Sequence, residues 1–358
     1  MTRLGIICVA ALCALSCTAD VVETSADEQA STVLQSRQQQ GTQLQGMHQQ
    51  GTQLQGTQLQ GTQLQGMTMQ GFQFAEATLG GVALVNLRVE GGEVVAEQDH
   101  VTLRGASLIG AHLYAQVGSL EVDPPATALV EYRITNIMTE DSKYDPTYTG
   151  STFLYTLEQN VDNTDSWQPA CPVDFDGRRV AIPLAATWNA YGDRVESSSL
   201  FTFGCTTGVI AKCYRWGYRP WLTGYGDLAA VHWACTRLAR ADYCGDGVPH
   251  TRDGTWVNVW DDLTGPGPIE AHGARPLAGM SFEAGWNTDG AECLSRTRWK
   301  SDMKQIQRTC PDRRMKSSRA KKFCDNVEDA RDHGLQVLLF NESYDDPLHH
   351  HDAPLQHR

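Results

Sequence analysis

Asp242, Asp246, His250 and Asp253 fall within twelve positions, on a stretch that also carries Gly245, Gly247 and Gly254. Oxygen-bearing side chains beside glycines that allow tight turns suit Ca²⁺, and His250 would extend the set to a transition metal. The spacing is not that of an EF-hand, and Asp and Gly are equally the residues of turns that cap their own backbone. Cys244 with His250 adds a second chemistry, a thiol nucleophile and its base, provided the sulfur is free to ionise. A disulfide at Cys244 removes it. A secreted hydrolase or metal-dependent enzyme centred on residues 242–253, with Ca²⁺ or another divalent metal as cofactor, is therefore the alternative to a structural or binding role.

Tyr214, Trp216 and Tyr218 alternate, with Arg215 between them and Trp221 nearby. On a strand they would share one face, suited to stacking on sugar rings or receiving cations; the same period is what a buried sheet face needs. Charge is uneven. The chain carries 29 Lys+Arg against 42 Asp+Glu, a net charge of −13, which argues against nucleic acid as a partner. Yet between Arg296 and Lys322 there are 11 basic residues and two acidic ones, a local charge of +9. Arg308, Arg313, Arg314, Lys316, Arg319, Lys321 and Lys322 form its dense part, which could dock a polysaccharide or other anionic surface polymer, or make a solvated helical face.

Positioning such groups falls to a domain with eight cysteines after residue 170: Cys171, Cys205, Cys213, Cys235, Cys244, Cys293, Cys310 and Cys324. An even number in an exported chain suggests four disulfides, with Cys310 to Cys324 a plausible short-range pair. Tight C-x-x-C pairs for zinc are absent. Alternation predicts strands at Leu129 to Ile137, Thr152 to Leu157, Arg179 to Leu184, Leu200 to Cys205, Val209 to Arg215, Trp256 to Trp260, Ser281 to Trp286 and Leu335 to Phe340. Gly91-Gly92 between β-rich runs predicts a hairpin. Leu228, Val231, His232, Cys235, Leu238 and Ala239 recur at helical spacing, in a helix that must stop before Gly245. The fold class is predominantly β with a few helices, stapled by disulfides.

The run Cys235-Thr-Arg-Leu-Ala-Arg-Ala241-Asp242-Tyr243-Cys244-Gly-Asp-Gly, followed by His250-Thr-Arg-Asp-Gly-Thr255, resembles the ADYC domain of bacterial exported proteins. Gln168-Pro-Ala-Cys171, Phe201-Thr-Phe-Gly-Cys205, Gly217-Tyr-Arg-Pro-Trp221 and Glu283-Ala-Gly-Trp286 agree with that resemblance, over roughly residues 150 to 300. It implies an exported compartment and a lipoprotein habit, and it carries over no catalytic residues.

The N-terminus agrees. Arg3, an apolar stretch from Leu4 to Leu15 and the lipobox-like Ala14-Leu15-Ser16-Cys17 read as a signal peptide over 1–17, with lipid on Cys17. The expected address is an outer-membrane or cell-surface lipoprotein, partnered with the membrane through that lipid. No other long apolar run occurs, which excludes a polytopic membrane protein. Residues 18–75 form a stalk in which TQLQG recurs at Thr42, Thr52, Thr57 and Thr62, either a pentapeptide β-helix or a flexible Gln-rich spacer. The same motif recurs over residues 101 to 115 with Leu103, Leu108 and Leu113 central. A β-rich connector (76–149), the ADYC-type domain (150–345) and a mobile His-containing tail (346–358) complete the expected organisation.

Overall fold

The computed structural model describes residues 42–44, 57–61, 73–119, 126–141, 151–161, 166–174, 176–189, 191–197, 200–252, 255–263, 279–311, 324–332 and 336–344. Two antiparallel sheets carry the chain. The larger has eight strands, in the order Thr202–Cys205, Ala181–Leu184, Ser151–Val161, Ala126–Asp141, His112–Ser119, Gln73–Leu79 and Val82–Ala83, with Ser166–Pro169 also paired to Ser151–Val161. Strands from both sides of residue 150 thus belong to one sheet. Alternation sets its faces: Tyr132 and Ile134 are buried, while Glu131 and Arg133, alternating with them, face partly outward. There Arg133 lies 4.2 Å over the Trp167 ring and Glu131 meets His112 at 2.7 Å.

A three-stranded meander, Val85–Glu90, Glu93–Gln98 and Val101–Arg104, covers the buried face of this sheet. Val94, Ala96 and Leu108 pack there against Leu113, Ile134, Tyr155 and Leu157, and the Val94 N–H donates to the Tyr155 hydroxyl at 2.8 Å. The expected hairpin forms, with Gly91 and Gly92 at φ of +57° and +80°, in the left-handed region glycine tolerates best. Residues 101 to 115 differ from the repeat expectation. They form a strand, a 3₁₀ turn over Gly105–Leu108 and another strand, in two different sheets. The leucine recurrence matches successive elements crossing one core, with Leu108 and Leu113 fully buried and Leu103 half-buried.

The second sheet runs Thr42–Leu44, Thr57–Gly61, Thr255–Asp261, Leu339–Tyr344, Met280–Asn287 and Gly290–Leu294. Thr42–Leu44 from one TQLQG copy and the whole copy Thr57–Gly61 are thus strands at its edge, the second paired with Thr255–Asp261. The predicted helix spans Leu228–Arg240 and begins at Asp227, whose side chain accepts the Ala230 N–H at 3.1 Å. Its apolar stripe, Val231, Ala234, Cys235 and Leu238, packs on Val257, Val259, Ala284, Trp286 and Leu339 of the sheet. Full burial of each large aliphatic there contributes about 1.5–3 kcal/mol. The last strand begins at Leu339, four residues later than its expected start.

Val209–Arg215 is a helix, a correction to the strand expected there. All seven residues are buried, Lys212 and Arg215 included, so the helix has no solvent face to set its period apart from that of a buried strand. The helical spacing divides them between two cores. Val209, Cys213 and Trp216 join the cluster under the second sheet, and Ile210, Ala211 and Tyr214 join Leu154, Ile182, Leu184 and Trp188.

Four disulfides close the fold: Cys171–Cys205, Cys213–Cys235, Cys244–Cys310 and Cys293–Cys324. The expected Cys310–Cys324 pair does not form. Cys310 caps the Met303–Thr309 helix, which places Ile306 and Cys310 against the core that also receives Cys244. Cys324 lies instead with Cys293, Trp260 and Phe340 in a separate apolar cluster. Such a set of bridges belongs to an extracellular or periplasmic chain. No helix among the described residues is long and apolar enough to cross a membrane.

Candidate functional site

The Ala-Asp-Tyr-Cys turn is built where the long helix ends. Ala241 takes a left-handed conformation, φ 53° and ψ 41°, while its own N–H reaches the Leu238 carbonyl at 3.0 Å and the Asp242 N–H reaches that of Arg237 at 3.0 Å. This is the geometry that usually falls to glycine at a helix C-terminus. Gly245 then lets two backbones meet, since a Cβ there would lie 2.1 Å from the Asp289 carbonyl oxygen.

Asp242 is fully buried and its carboxylate is fully engaged. Oδ2 accepts from Arg237 Nη1 at 2.5 Å and from the Gly247 N–H at 3.0 Å, and Oδ1 accepts from the Asp246 N–H at 3.1 Å. Burial pushes this carboxyl up, against the charges of Arg237 and Arg240. Arg237 also binds Asp193 at 2.5 Å and the carbonyls of Tyr191 and Thr288, tying the helix to two neighbouring turns.

Tyr243 reaches the opposite way, into a dry ionic cluster. Its ring stacks on Trp286 with centroids 5.2 Å apart. Its hydroxyl donates to Glu283 Oε1 at 2.9 Å and accepts the Arg298 N–H at 2.6 Å. Glu283 and Arg298 are both buried and meet in a two-point pair, Nη2 to Oε1 at 3.0 Å and Nε to Oε2 at 3.1 Å, with Ser343 Oγ donating to Oε2 at 2.6 Å. Burial alone would raise Glu283, but the charge and hydrogen bonds of Arg298, with Arg296 and Ser343, hold it below its ordinary value. Arg298 also donates to the Leu238 and Ala239 carbonyls, so the cluster caps the helix.

Of the loop's other candidate ligands, Asp246 accepts the Val248 N–H at 3.0 Å in a local turn. The His250 N–H donates to the Arg240 carbonyl at 3.0 Å, and burial pulls its imidazole below the ordinary value despite Asp302, Asp246 and Asp242 nearby. Asp253 lies outside the described residues. Among the described residues, no three His, Cys, Asp or Glu side chains come together to hold a metal. Cys244 is bonded to Cys310, so the thiol chemistry considered for it with His250 has no sulfur to use.

The aromatic residues do not form a row, because the segment is a helix followed by a turn. Tyr214, Trp216 and Tyr218 are buried, and the Tyr218 hydroxyl donates to Asp261 Oδ2 at 3.0 Å. Trp221, half-buried, packs on Tyr214 at 4.8 Å and borders a surface cleft of about 160 Å³. Gly92 lies so close that a Cβ would fall 2.6 Å from the Trp221 ring. Across the cleft stand Arg194 and Glu196, an ion pair from the short ribbon Ala186–Trp188 and Arg194–Glu196.

Of the basic patch, Arg308 is exposed on its helix, with Nε on the Lys304 carbonyl at 3.3 Å. Arg313, Arg314, Lys316, Arg319, Lys321 and Lys322 lie outside the described residues, as does Cys17. Sequence reasoning overlooked Glu283, Arg298, Arg237 and Arg194. A Glu set inside the apolar run Phe282 to Trp286 was the readable sign of a buried charge pair.

No curated protein and no solved structure matches the chain. The family model of the ADYC domain matches residues 105–300, more than half its length. That span takes in the capped helix, the Ala-Asp-Tyr-Cys turn and both halves of the buried Glu283–Arg298 pair, and the chain belongs to the ADYC domain family.

Proposed function

We propose that this is a lipid-anchored cell-envelope protein whose ADYC domain is a rigid scaffold with a structural or binding role. The observation that carries this reading is the engagement of the signature itself. Asp242 holds a helix end and a loop, Tyr243 satisfies a buried ion pair, and Cys244 is bridged to Cys310. Groups bound in this way stabilise one conformation, whereas catalysis asks for groups that can reach a substrate. In this proposal Cys17 bears the lipid, the residues between Cys17 and the first TQLQG strand tether the domain to the outer membrane, and the domain presents its surface to the envelope or the medium.

The test is intact mass of the protein taken from its native envelope, alkylated before and after reduction. The expected result is no alkylation before reduction, eight added groups after it, and an acylated N-terminus at Cys17 that Cys17→Ser abolishes. A free thiol among the eight, or an unacylated mature chain in the wild type, overturns the reading.

A further inference from the structure

The Trp221 cleft joins four features. It has one aromatic wall, an apolar lining from Val89, Leu184 and Pro220, a floor set by the Gly91-Gly92 turn, and an ion pair at one side. Its volume of about 160 Å³ matches a single six-membered ring; an apolar cavity of about 150 Å³ holds benzene. The Arg194 side chain is only 5% exposed and its Nε has no hydrogen-bond partner, while its guanidinium meets Glu196, whose side chain is 66% exposed. The two charges cancel, so the cleft favours neither a cation nor an anion. It still offers N–H donors and carboxylate acceptors beside an indole.

We infer that this cleft binds one neutral pyranose ring, with the sugar's C–H face against Trp221 and its hydroxyls on Arg194 and Glu196. Stacking of a ring on indole and paired hydroxyl contacts to a guanidinium and a carboxylate answer the two halves of that chemistry. The inference rests on the binding reading above and names its ligand class. Gly91 and Gly92 keep the cleft open: each has positive φ, and Gly91 has only the Trp221 indole within 4 Å of a built Cβ.

The experiment is saturation-transfer NMR on the full chain in a sugar-free zwitterionic detergent, with the methyl pyranosides of glucose, galactose, mannose and N-acetylglucosamine, and indole as a comparison. Transfer to the ring protons of at least one glycoside is expected, with a dissociation constant of about 1 mM. Trp221→Leu weakens it about tenfold and Glu196→Gln weakens it measurably, with unchanged urea midpoints. If Trp221→Leu fails to fold, Gly91→Asn replaces it, since asparagine accepts a φ of +57° and extends over the indole. Absence of transfer to all four glycosides, transfer unaffected by these variants, or binding of indole alone overturns the inference. With eight bridged cysteines and an acylated Cys17 found by mass, such a failure removes the sugar site and leaves the envelope reading standing.

Discussion

Replacing Tyr243 by Phe isolates what the signature tyrosine contributes, because the ring and its stacking on Trp286 are retained and only the hydroxyl is lost. That hydroxyl makes two buried bonds, 2.9 Å to Glu283 and 2.6 Å from the Arg298 N–H. A hydrogen bond to a charged group is worth about 1.5–3 kcal/mol, and a buried N–H left without an acceptor costs about 1–3 kcal/mol. The two overlap at one atom, so the expected loss is about 3 kcal/mol. Glu283→Gln is expected to cost about 3–5 kcal/mol, since it leaves the Arg298 guanidinium buried without its counter-charge. The double variant should lose less than the sum, because both changes strike one network. Urea unfolding with the bridges intact reads all three as midpoint shifts at a common slope. A Tyr243→Phe midpoint within about 0.5 kcal/mol of wild type would refute the assignment of the turn to a buried, fully bonded hub.

His232 is buried with Nε2 on the Ile210 carbonyl and its imidazole pulled down to about 3 by burial and by Arg194. Between that value and the ordinary 6.5 the unfolded chain holds the extra proton, so stability falls as pH drops through this window, by at most about 1.4 kcal/mol per pH unit; midpoints from pH about 7 to about 4 should slope less in His232→Gln. Gly245→Ala should cost more than about 3 kcal/mol, because its Cβ would strike the Asp289 carbonyl, whereas Gly177→Ala, at φ +76° with nothing within 4 Å, should cost about 1 kcal/mol; equal midpoint losses would contradict the close approach. Replacing Cys244 and Cys310 together by Ala opens a loop of 66 residues and should cost about 4 kcal/mol, against about 3 kcal/mol for the 22-residue Cys213–Cys235 loop, read by thermal unfolding of the two double variants.

The strand at Leu129 to Ile137 was readable because Tyr132 and Ile134 are buried while the residues alternating with them are not, and Thr152 to Leu157 because its β-branched and aromatic residues fit a strand that is buried on both faces. The Leu228–Arg240 helix was readable because its apolar stripe meets a sheet on one side. Val209–Arg215 was not, since two cores enclose it and even its charged Lys212 and Arg215 are buried, so burial does not follow the polar–apolar pattern of the sequence. The Leu recurrence over residues 101 to 115 suggested a repeat, yet spacing alone says nothing about which sheet each strand joins. In the site, Asp242, Tyr243 and Cys244 stood out as a motif; Asp242 finds its partners within five residues, but Glu283 and Arg298, the partners of Tyr243, and Cys310, the partner of Cys244, lie 40 or more residues away and are set by tertiary docking. Among the aromatic candidates, only Trp221 borders the cleft, because the helix and the turn that follows it bury the others.

The order of the bridges has a consequence for biogenesis. Cys171–Cys205 and Cys213–Cys235 join thiols that emerge one after the other during translocation, so an oxidase acting on the nascent polypeptide would seal them correctly. The last four interlace: Cys244 waits for Cys310, and Cys293, which emerges between them, waits for Cys324. Sealing neighbours as they appear would join Cys244 to Cys293 and Cys310 to Cys324, and both would be wrong. Maturation of the second half therefore requires either that these thiols stay reduced until the sheet has assembled or that a disulfide isomerase reshuffles them, and a host cell equipped only to oxidise would accumulate a half-correct, protease-sensitive product.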